Sequence, residues 1–486
     1  MGGLSKKAYK TDEIADFHQL PVLQLDGGGL LSKEEELHPA MLQQSRITAA
    51  GIIDAYNLMK VDAVGVSKRD LAGGLAFLQE QAAKSKFKWL SANLVKKSTN
   101  DPLFKQNTIT EVGPHKIGVI GLTTSEPPFA FEEKDDAIIL PWQEVLPELV
   151  AEMNSKCDML ILLSNNNSGQ NQEIAETFKD IHIIIQAMPA KKNSPPNLVN
   201  NTLILQAGKQ GKYFGWLLID WQNSRTWGSG ALRTRISQKK QELDGLNGRI
   251  KRFEKRESEE DLANHISYQR LLERRDKLIF AISGLEMELD RIDVEGLAPS
   301  TYEHNFVALE MSIPDQPEVL KIVETTKQRV NDAGRAKAKA AREKTAQNTA
   351  NVAKDPFTGW QVCANCHSVQ AAFWEKTGHA KAHKTLVEAG QQFNLNCLPC
   401  HVTGSRDSQS SDINGRDVLS LPPALQLVGC EACHGPGNKH AANPRSDNII
   451  ITPPETTCRR CHTPARDDDF SYEDDIRKIA CPPDDN

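Results

Sequence analysis

Cys363-Ala364-Asn365-Cys366-His367, Cys397-Leu398-Pro399-Cys400-His401, Cys430-Glu431-Ala432-Cys433-His434 and Cys458-Arg459-Arg460-Cys461-His462 repeat one five-residue pattern four times after residue 360. A C-x-x-C pair alone fits a zinc ribbon or a redox dithiol. With 13 His in 486 residues, however, a histidine directly after every pair is not coincidence, and C-x-x-C-H is the attachment pattern of c-type haem. Two thiols at this spacing reach the two vinyl groups of one porphyrin, and the adjacent imidazole falls beneath the iron. Four c-type haems are expected, on Cys363 and Cys366, Cys397 and Cys400, Cys430 and Cys433, Cys458 and Cys461, with His367, His401, His434 and His462 as proximal iron ligands. Zinc would need four ligands per site and no repeated histidine.

Away from these motifs the composition is restrictive. The net charge of −6 and pI near 6.1 leave no basic field for nucleic acid. No apolar run is long enough to cross a membrane, and the first 30 residues lack the order of a signal peptide. Covalent haem is attached outside the cytoplasm, so the expectation is a periplasmic or extracellular protein with its export signal upstream of residue 1, and a first strand also missing there. Cys157, beside the apolar run 159–163, reads as a buried structural thiol, and Cys481 as a free one.

Ligand arithmetic follows from the histidines. After residue 331 the only ones outside the motifs are His379, His383 and His440, and there is no methionine. Three spare imidazoles cannot give four irons a sixth ligand. His440, six residues beyond His434, is expected to cap a neighbouring haem; His379 and His383 are distal candidates; His304, from outside the segment, is a remote one.

From residue 21 to 220 short apolar runs (21–25, 61–66, 116–122, 158–164, 181–187, 202–207) alternate with helical patterns (47–59, 71–84, 142–155, 169–178), which indicates an α/β domain over 1–230. Leu25-Asp26-Gly27-Gly28, Asp62-Ala63-Val64, Gly74-Leu75-Ala76-Phe77-Leu78, Trp89-Leu90-Ser91-Ala92-Asn93-Leu94, Lys116 to Thr123 and Gln206 to Tyr213 resemble the calcineurin-type phosphoesterase domain of the 5′-nucleotidase family. The resemblance implies an α/β metallophosphoesterase-like sandwich, whose members hydrolyse phosphate esters with two metal ions. It also implies that the metal motifs are degraded. Gly29 stands where an Asp closes the first motif, Ser67-Lys68-Arg69-Asp70 replaces Gly-Asn-His-Glu, and Asn165 and Met188 lie at later histidine positions. Two cations in place of metal ligands oppose metal binding, so no catalytic residue is expected in this half.

Residues 231–293 carry heptad seams, Ile236, Leu243, Leu246, Ile250 and Phe253, then Leu271, Leu278, Leu285 and Ile292 with Ile282 and Leu289 between. With Ser258 to Asp261 as a capping box, two helices of roughly 40 Å each at 1.5 Å per residue predict an antiparallel coiled-coil hairpin. It would pack on itself or serve as an arm for a homo-oligomer. Residues 294–354 are expected to be linker, with Ala333–Ala353 a solvated Ala/Lys/Arg-rich helix.

Residues 355–486 form the last unit, mostly helix and loop. Trp374 to Ala380, Cys397 to Gly404, Val428 to Gly437 with His440, and Cys458 to His462 resemble the tetrahaem cytochrome c family that carries electrons from hydroxylamine oxidation in nitrifying bacteria. In that family most irons are bis-histidine and one can be open. The chain is therefore expected to be a multihaem cytochrome c serving electron transport, with redox proteins or other multihaem cytochromes as partners. The alternatives are a haem enzyme acting on a small nitrogen or sulfur species at an open iron, and a phosphoesterase with a cytochrome appended.

Overall fold

The computed structural model describes residues 3–127, 135–188, 193–208, 211–227, 266–292, 299–347, 356–404, 412–413, 416–463, 466–467 and 470–483, with scattered positions between 236 and 262. The alternation of apolar runs and helices folds as two facing sheets with helices outside both. A small parallel sheet joins β1 (Leu25–Asp26), β2 (Ala63–Gly65) and β3 (Lys88–Leu90). A six-stranded sheet runs in the order β10 (Ser194–Val199), β11 (Thr202–Gln206), β9 (Ile183–Gln186), β8 (Met159–Ser164), β6 (His115–Leu122), β5 (Asn107–Val112). All six residues of Met159-Leu160-Ile161-Leu162-Leu163-Ser164 are buried, as expected of a parallel strand covered on both faces.

Between the sheets lie Ala63, Leu90, Val119, Ile161 and Leu163. The layers can approach because Gly121 has no side chain: a Cβ there would sit 2.2 Å from the carbonyl oxygen of Leu90. The outer face of the large sheet is closed by α5 (Trp142–Asn154) and α6 (Ser168–Thr177), through Leu146, Met153 and Ile174. The other side is closed by α1 (Leu4–His18), α2 (Leu42–Leu58), α3 (Lys68–Leu71) and α4 (Leu75–Lys84).

Two expectations for the middle of the chain need correction. Residues 294–354 are not simply linker: β13 (Thr301–Ala308) pairs antiparallel with β12 (Tyr213–Asp220) over eight residues and adds Tyr302 to the inter-sheet core. Nor is the Ala/Lys-rich segment a solvated helix over its described part. It belongs to a 31-residue helix, α8 (Pro317–Gln347). This helix buries Val319, Val323, Val330 and Ala338, a column with steps of four, seven and eight residues on one face. Most of the column packs on α2, where Thr326 fills the space left by Gly51. The alanines that suggest solvent are small enough to let a second backbone approach, and Gly334 lies against the Phe393 carbonyl.

Of the proposed hairpin, the second helix is α7 (Ile266–Ile292); Phe253 and Ser258 to Asp261 lie outside the described residues. Ile236, Leu278, Ile282 and Leu285 are buried against the same inter-sheet core. Lys240 pairs with Glu286 at 2.8 Å and Arg274 with Glu242 at 2.6 Å.

The last unit is short helices and turns: α9 (Trp360–Ala364), α10 (Ser368–Trp374), α11 (Gly378–Glu388), α12 (Cys430–His434), α13 (Asn438–Ala442), α14 (Glu455–Cys458) and α15 (Tyr472–Ile479). It is tied to the α/β half by a buried knot. The Gln44 amide of α2 donates to Phe393 O (2.7 Å) and Val330 O (3.1 Å) and accepts from Leu395 N (2.8 Å). Asn331 of α8 accepts from Phe393 N at 2.9 Å. Among the described residues no helix is long and apolar enough to cross a membrane.

Candidate haem-binding site

Each C-x-x-C-H closes on a single helical turn. His367 N and His462 N donate to the carbonyls of Cys363 and Cys458, both at 2.9 Å, and His401 N donates to Leu398 O at 2.9 Å. One turn places two sulfurs and an imidazole on the same side of the backbone. The imidazoles are also oriented for a metal. His401 Nδ1 lies 2.6 Å from Ala382 O, His434 Nδ1 2.6 Å from Ile450 O, and His462 Nδ1 2.6 Å from Asp467 Oδ2. Carbonyl and carboxylate oxygens only accept, so Nδ1 carries the proton and Nε2 keeps its lone pair for iron.

The spare histidines divide into those that face a proximal ring and those that do not. His440 lies opposite His367 with ring centres 6.4 Å apart, and His379 opposite His462 at 6.0 Å. Two imidazoles bound on opposite sides of one metal, each by a bond of about 2 Å, place their ring centres roughly 6 Å apart. Both ring-centre separations are of that size. His440 is aimed by Nδ1 contacts of 3.0 Å to Arg445 O and Asn448 Oδ1. Burial, and then the charge of His462, lowers the His379 pKa. His383 is lowered by burial and then by His401, but no proximal ring faces it among the described residues. His304 is not brought to this site by any contact of its ring. It sits in β13 between Tyr302 and Phe306, its Nδ1 buried without a partner and its pKa lowered by burial.

The thiols group the motifs. Cys363 lies beside Cys430, which lowers the first thiol and raises the second; Cys400 lies beside Cys461, which lowers Cys400 to about 6 and raises its partner. Burial, then the Cys458 charge, pushes Cys433 up to about 11. The first motif therefore lies with the third and the second with the fourth. No disulfide joins any two of the ten cysteines; Cys157 is buried, as expected, and Cys481 is exposed.

Several supporting residues escape sequence reasoning. Glu431, inside the third motif, is buried and accepts from Thr358 N, Gly359 N and Gly437 N at 2.7–2.9 Å, which fastens the approach to the first motif. Phe470 stacks on His462 at 4.7 Å, and Arg466 donates to Asn396 O at 2.7 Å. Only the five-residue spacing from His462 to Asp467 offers a signal in the sequence.

Residues 362–435 match the family Cytochrome c554 and c-prime. Cytochrome c-554 of Nitrosomonas europaea is 32% identical over 141 residues, 26% of this chain and 57% of that protein. The α/β half matches other proteins. Protein UshA of Salmonella pullorum is 34% identical over 119 residues (24% of this chain, 21% of that one), and the snake venom 5′-nucleotidase of Crotalus adamanteus 23% over 245 residues (45% and 40%). The chain spans between about a fifth and three fifths of these relatives' lengths. It joins a cytochrome c554-like segment to a half resembling the metallophosphoesterases of the 5′-nucleotidase group, and c-type haem is the cofactor that the cytochrome segment implies.

At the ends of β1, β2 and β8, the residues do not fit a pair of metal ions. Gly29 offers no ligand. The Asp70 carboxylate is fully buried and accepts from Gly29 N, Leu30 N, Leu31 N, Ser67 N and Ser67 Oγ, all at 2.7–2.9 Å. Its burial outweighs these donors and raises its pKa. Asn165 Nδ2 donates to Gly27 O (2.8 Å) and Val66 O (3.2 Å), and Asp26 accepts from Tyr56 OH at 2.7 Å. Among the described residues no group of three or more His, Cys, Asp or Glu side chains is placed to hold a metal ion.

Proposed function

We propose that the protein is an exported electron carrier that holds four c-type haems in its last unit. Haem supplies reversible one-electron exchange at iron. The chain's own residues supply the rest: eight cysteines anchor, His367, His401, His434 and His462 bind from one side, and His440 and His379 complete the first and fourth sites. The observation that carries this reading is the pair of facing imidazoles at 6.4 and 6.0 Å, set among four motifs whose thiols lie together two by two. Mass spectrometry of the mature protein should find four haem adducts; fewer, or zinc on these cysteines, would sink the assignment.

His401 and His434 have no facing imidazole among the described residues, which favours a second reading in which one iron binds a small nitrogen or sulfur species. A high-spin electron paramagnetic resonance signal that shifts with nitric oxide or cyanide would support it. A wholly low-spin spectrum that turns partly high-spin only in His304→Ala would instead make His304 a ligand and the protein a pure conductor.

The α/β half is read as a scaffold without phosphoesterase activity, because Asp70 and Asn165 are consumed by internal hydrogen bonds and Gly29, Lys68, Arg69 and Met188 offer no metal ligands. Turnover of a nucleotide or nitrophenyl phosphate with manganese, above a buffer control, would overturn this. The helical hairpin is read as packed in cis on the inter-sheet core, with redox proteins as partners.

A further inference from the structure

The chain turns back on itself directly after the fourth motif. Arg466 N and Asp467 N both donate to Thr463 O, at 2.9 and 2.8 Å, and that turn returns a carboxylate to the imidazole five residues before it. Asp467 Oδ2 lies 2.6 Å from His462 Nδ1. His401 and His434 meet neutral backbone carbonyls instead, Ala382 O and Ile450 O, also at 2.6 Å. The proximal imidazoles of the second, third and fourth motifs thus share one hydrogen-bond length and differ in the charge of the acceptor.

The surroundings keep that difference in place. Phe470 stacks on His462 with the ring planes 23° apart, which restricts the direction in which Nδ1 points. The neighbouring charges are engaged elsewhere. Arg466 donates to Asn396 O at 2.7 Å, Arg459 pairs with Glu455 at 2.9 Å while lying over the Phe470 ring, and Asp475 accepts from Ser471 N (3.0 Å) and Lys478 Nζ (2.6 Å). The side chains of His462 and Asp467 are 34% and 39% exposed, so water screens the carboxylate in part. A carboxylate that accepts from an imidazole draws the Nδ1 proton towards itself and makes Nε2 a stronger electron donor, which stabilises ferric over ferrous iron. A carbonyl, with no net charge, does so less.

We propose that Asp467, acting through His462, lowers the reduction potential of the fourth haem and so biases an electron shared with the second haem towards the second. This rests on the four-haem reading. The two haems are neighbours because Cys400 lies beside Cys461. The bias leaves the fourth iron ferric and the second ferrous, and the second is the one whose His401 has no facing imidazole among the described residues. Asp467 is a positioning residue, since it reaches the iron only through the imidazole.

The test is a redox titration of the holoprotein read by electron paramagnetic resonance, following the low-spin signal that His379→Ala removes, which marks the fourth haem. Asp467→Asn keeps an oxygen within reach of Nδ1 and loses the charge. At fixed potential the ferric-to-ferrous ratio of that haem should fall roughly threefold, an upward shift of about 28 mV for one electron. A residue that merely oriented the ring would leave the potential unmoved in this variant. Asp467→Ser should shift the same signal in the same direction, and it decides alone if the asparagine variant does not accumulate. Glu473→Gln, exposed on α15, should leave all potentials in place. Four attached haems with an unchanged fourth potential in the Asp467 variants, or an equal shift in Glu473→Gln, would overturn the inference and leave the carrier reading standing. A wild-type protein with no adduct on Cys458 and Cys461, or a His379→Ala spectrum identical to that of the wild type, would overturn the reading beneath it.

Discussion

The two ends of the chain solve the problem of a core in opposite ways. The α/β half buries strand after strand of branched aliphatics, so that Leu160, Leu162 and Leu163 are wholly enclosed by protein. The haem segment gathers one cluster of ten buried apolar residues, and one of those, Ala338, is lent by α8. Hydrophobic burial alone is thin there, and conformational entropy opposes folding in proportion to length. The lesson of the difference is that protein side chains alone enclose the core of the α/β half, whereas the cytochrome c554-like segment buries little of its own and leaves that part to the haem its family implies.

The comparison can be broken most severely by withholding haem. With all eight motif cysteines changed to alanine, trypsin should degrade residues 356–483 while the α/β half survives; a resistant fragment covering 356–483, identified by mass, would remove the distinction. Acid should produce the next largest effect, on the other half. His182 is buried, its Nδ1 accepts from Leu160 N at 2.9 Å, and burial, then the Arg225 charge, lowers its pKa from 6.5 to about 3. A base depressed in the folded state stabilises above its unfolded pKa and loses that stability as pH falls. Between about pH 6.5 and 3 the α/β half should therefore lose roughly 4 kcal/mol from this group. Urea titrations at several pH values would show it, and His182→Gln should flatten the dependence while leaving the haem spectrum alone.

The knot between the regions comes next. Gln44→Leu strands Phe393 O and Leu395 N, and should cost about 2 kcal/mol. Calorimetry should resolve two unfolding transitions where the wild type shows more closely coupled ones; an unchanged profile would mean that the halves are not coupled through Gln44. The smallest effect belongs to the exposed pair Lys240 and Glu286. Lys240→Ala should change stability by less than about 0.5 kcal/mol, and a larger loss in a denaturation curve would mark the hairpin as a stability element in its own right.

Much of this was legible before any coordinates. The strand runs 116–122, 158–164 and 202–207 match β6, β8 and β11 within a residue or two, because a strand buried on both faces must be apolar at every position. Strand 21–25 was harder: only Leu25–Asp26 pair, since pairing depends on a neighbour and not on apolarity. The cytochrome segment was legible from spacing alone, because the cysteines and histidine of each motif are contiguous in the chain.

What the sequence determined, then, is chemistry that is local: four contiguous C-x-x-C-H motifs that mark a cytochrome c segment, and Gly29, Lys68 and Arg69 standing in the places of metal motifs. What only the tertiary structure decided is which distant groups meet. His367 faces His440 and His462 faces His379, across 73 and 83 positions of the chain; Gln44 reaches Phe393; α8 turns from an apparent spacer into a helix packed on α2 and on the core of the last unit. Helical and strand periodicities report which face of an element is covered. They carry no information about what covers it, because that depends on how the elements close over one another in space.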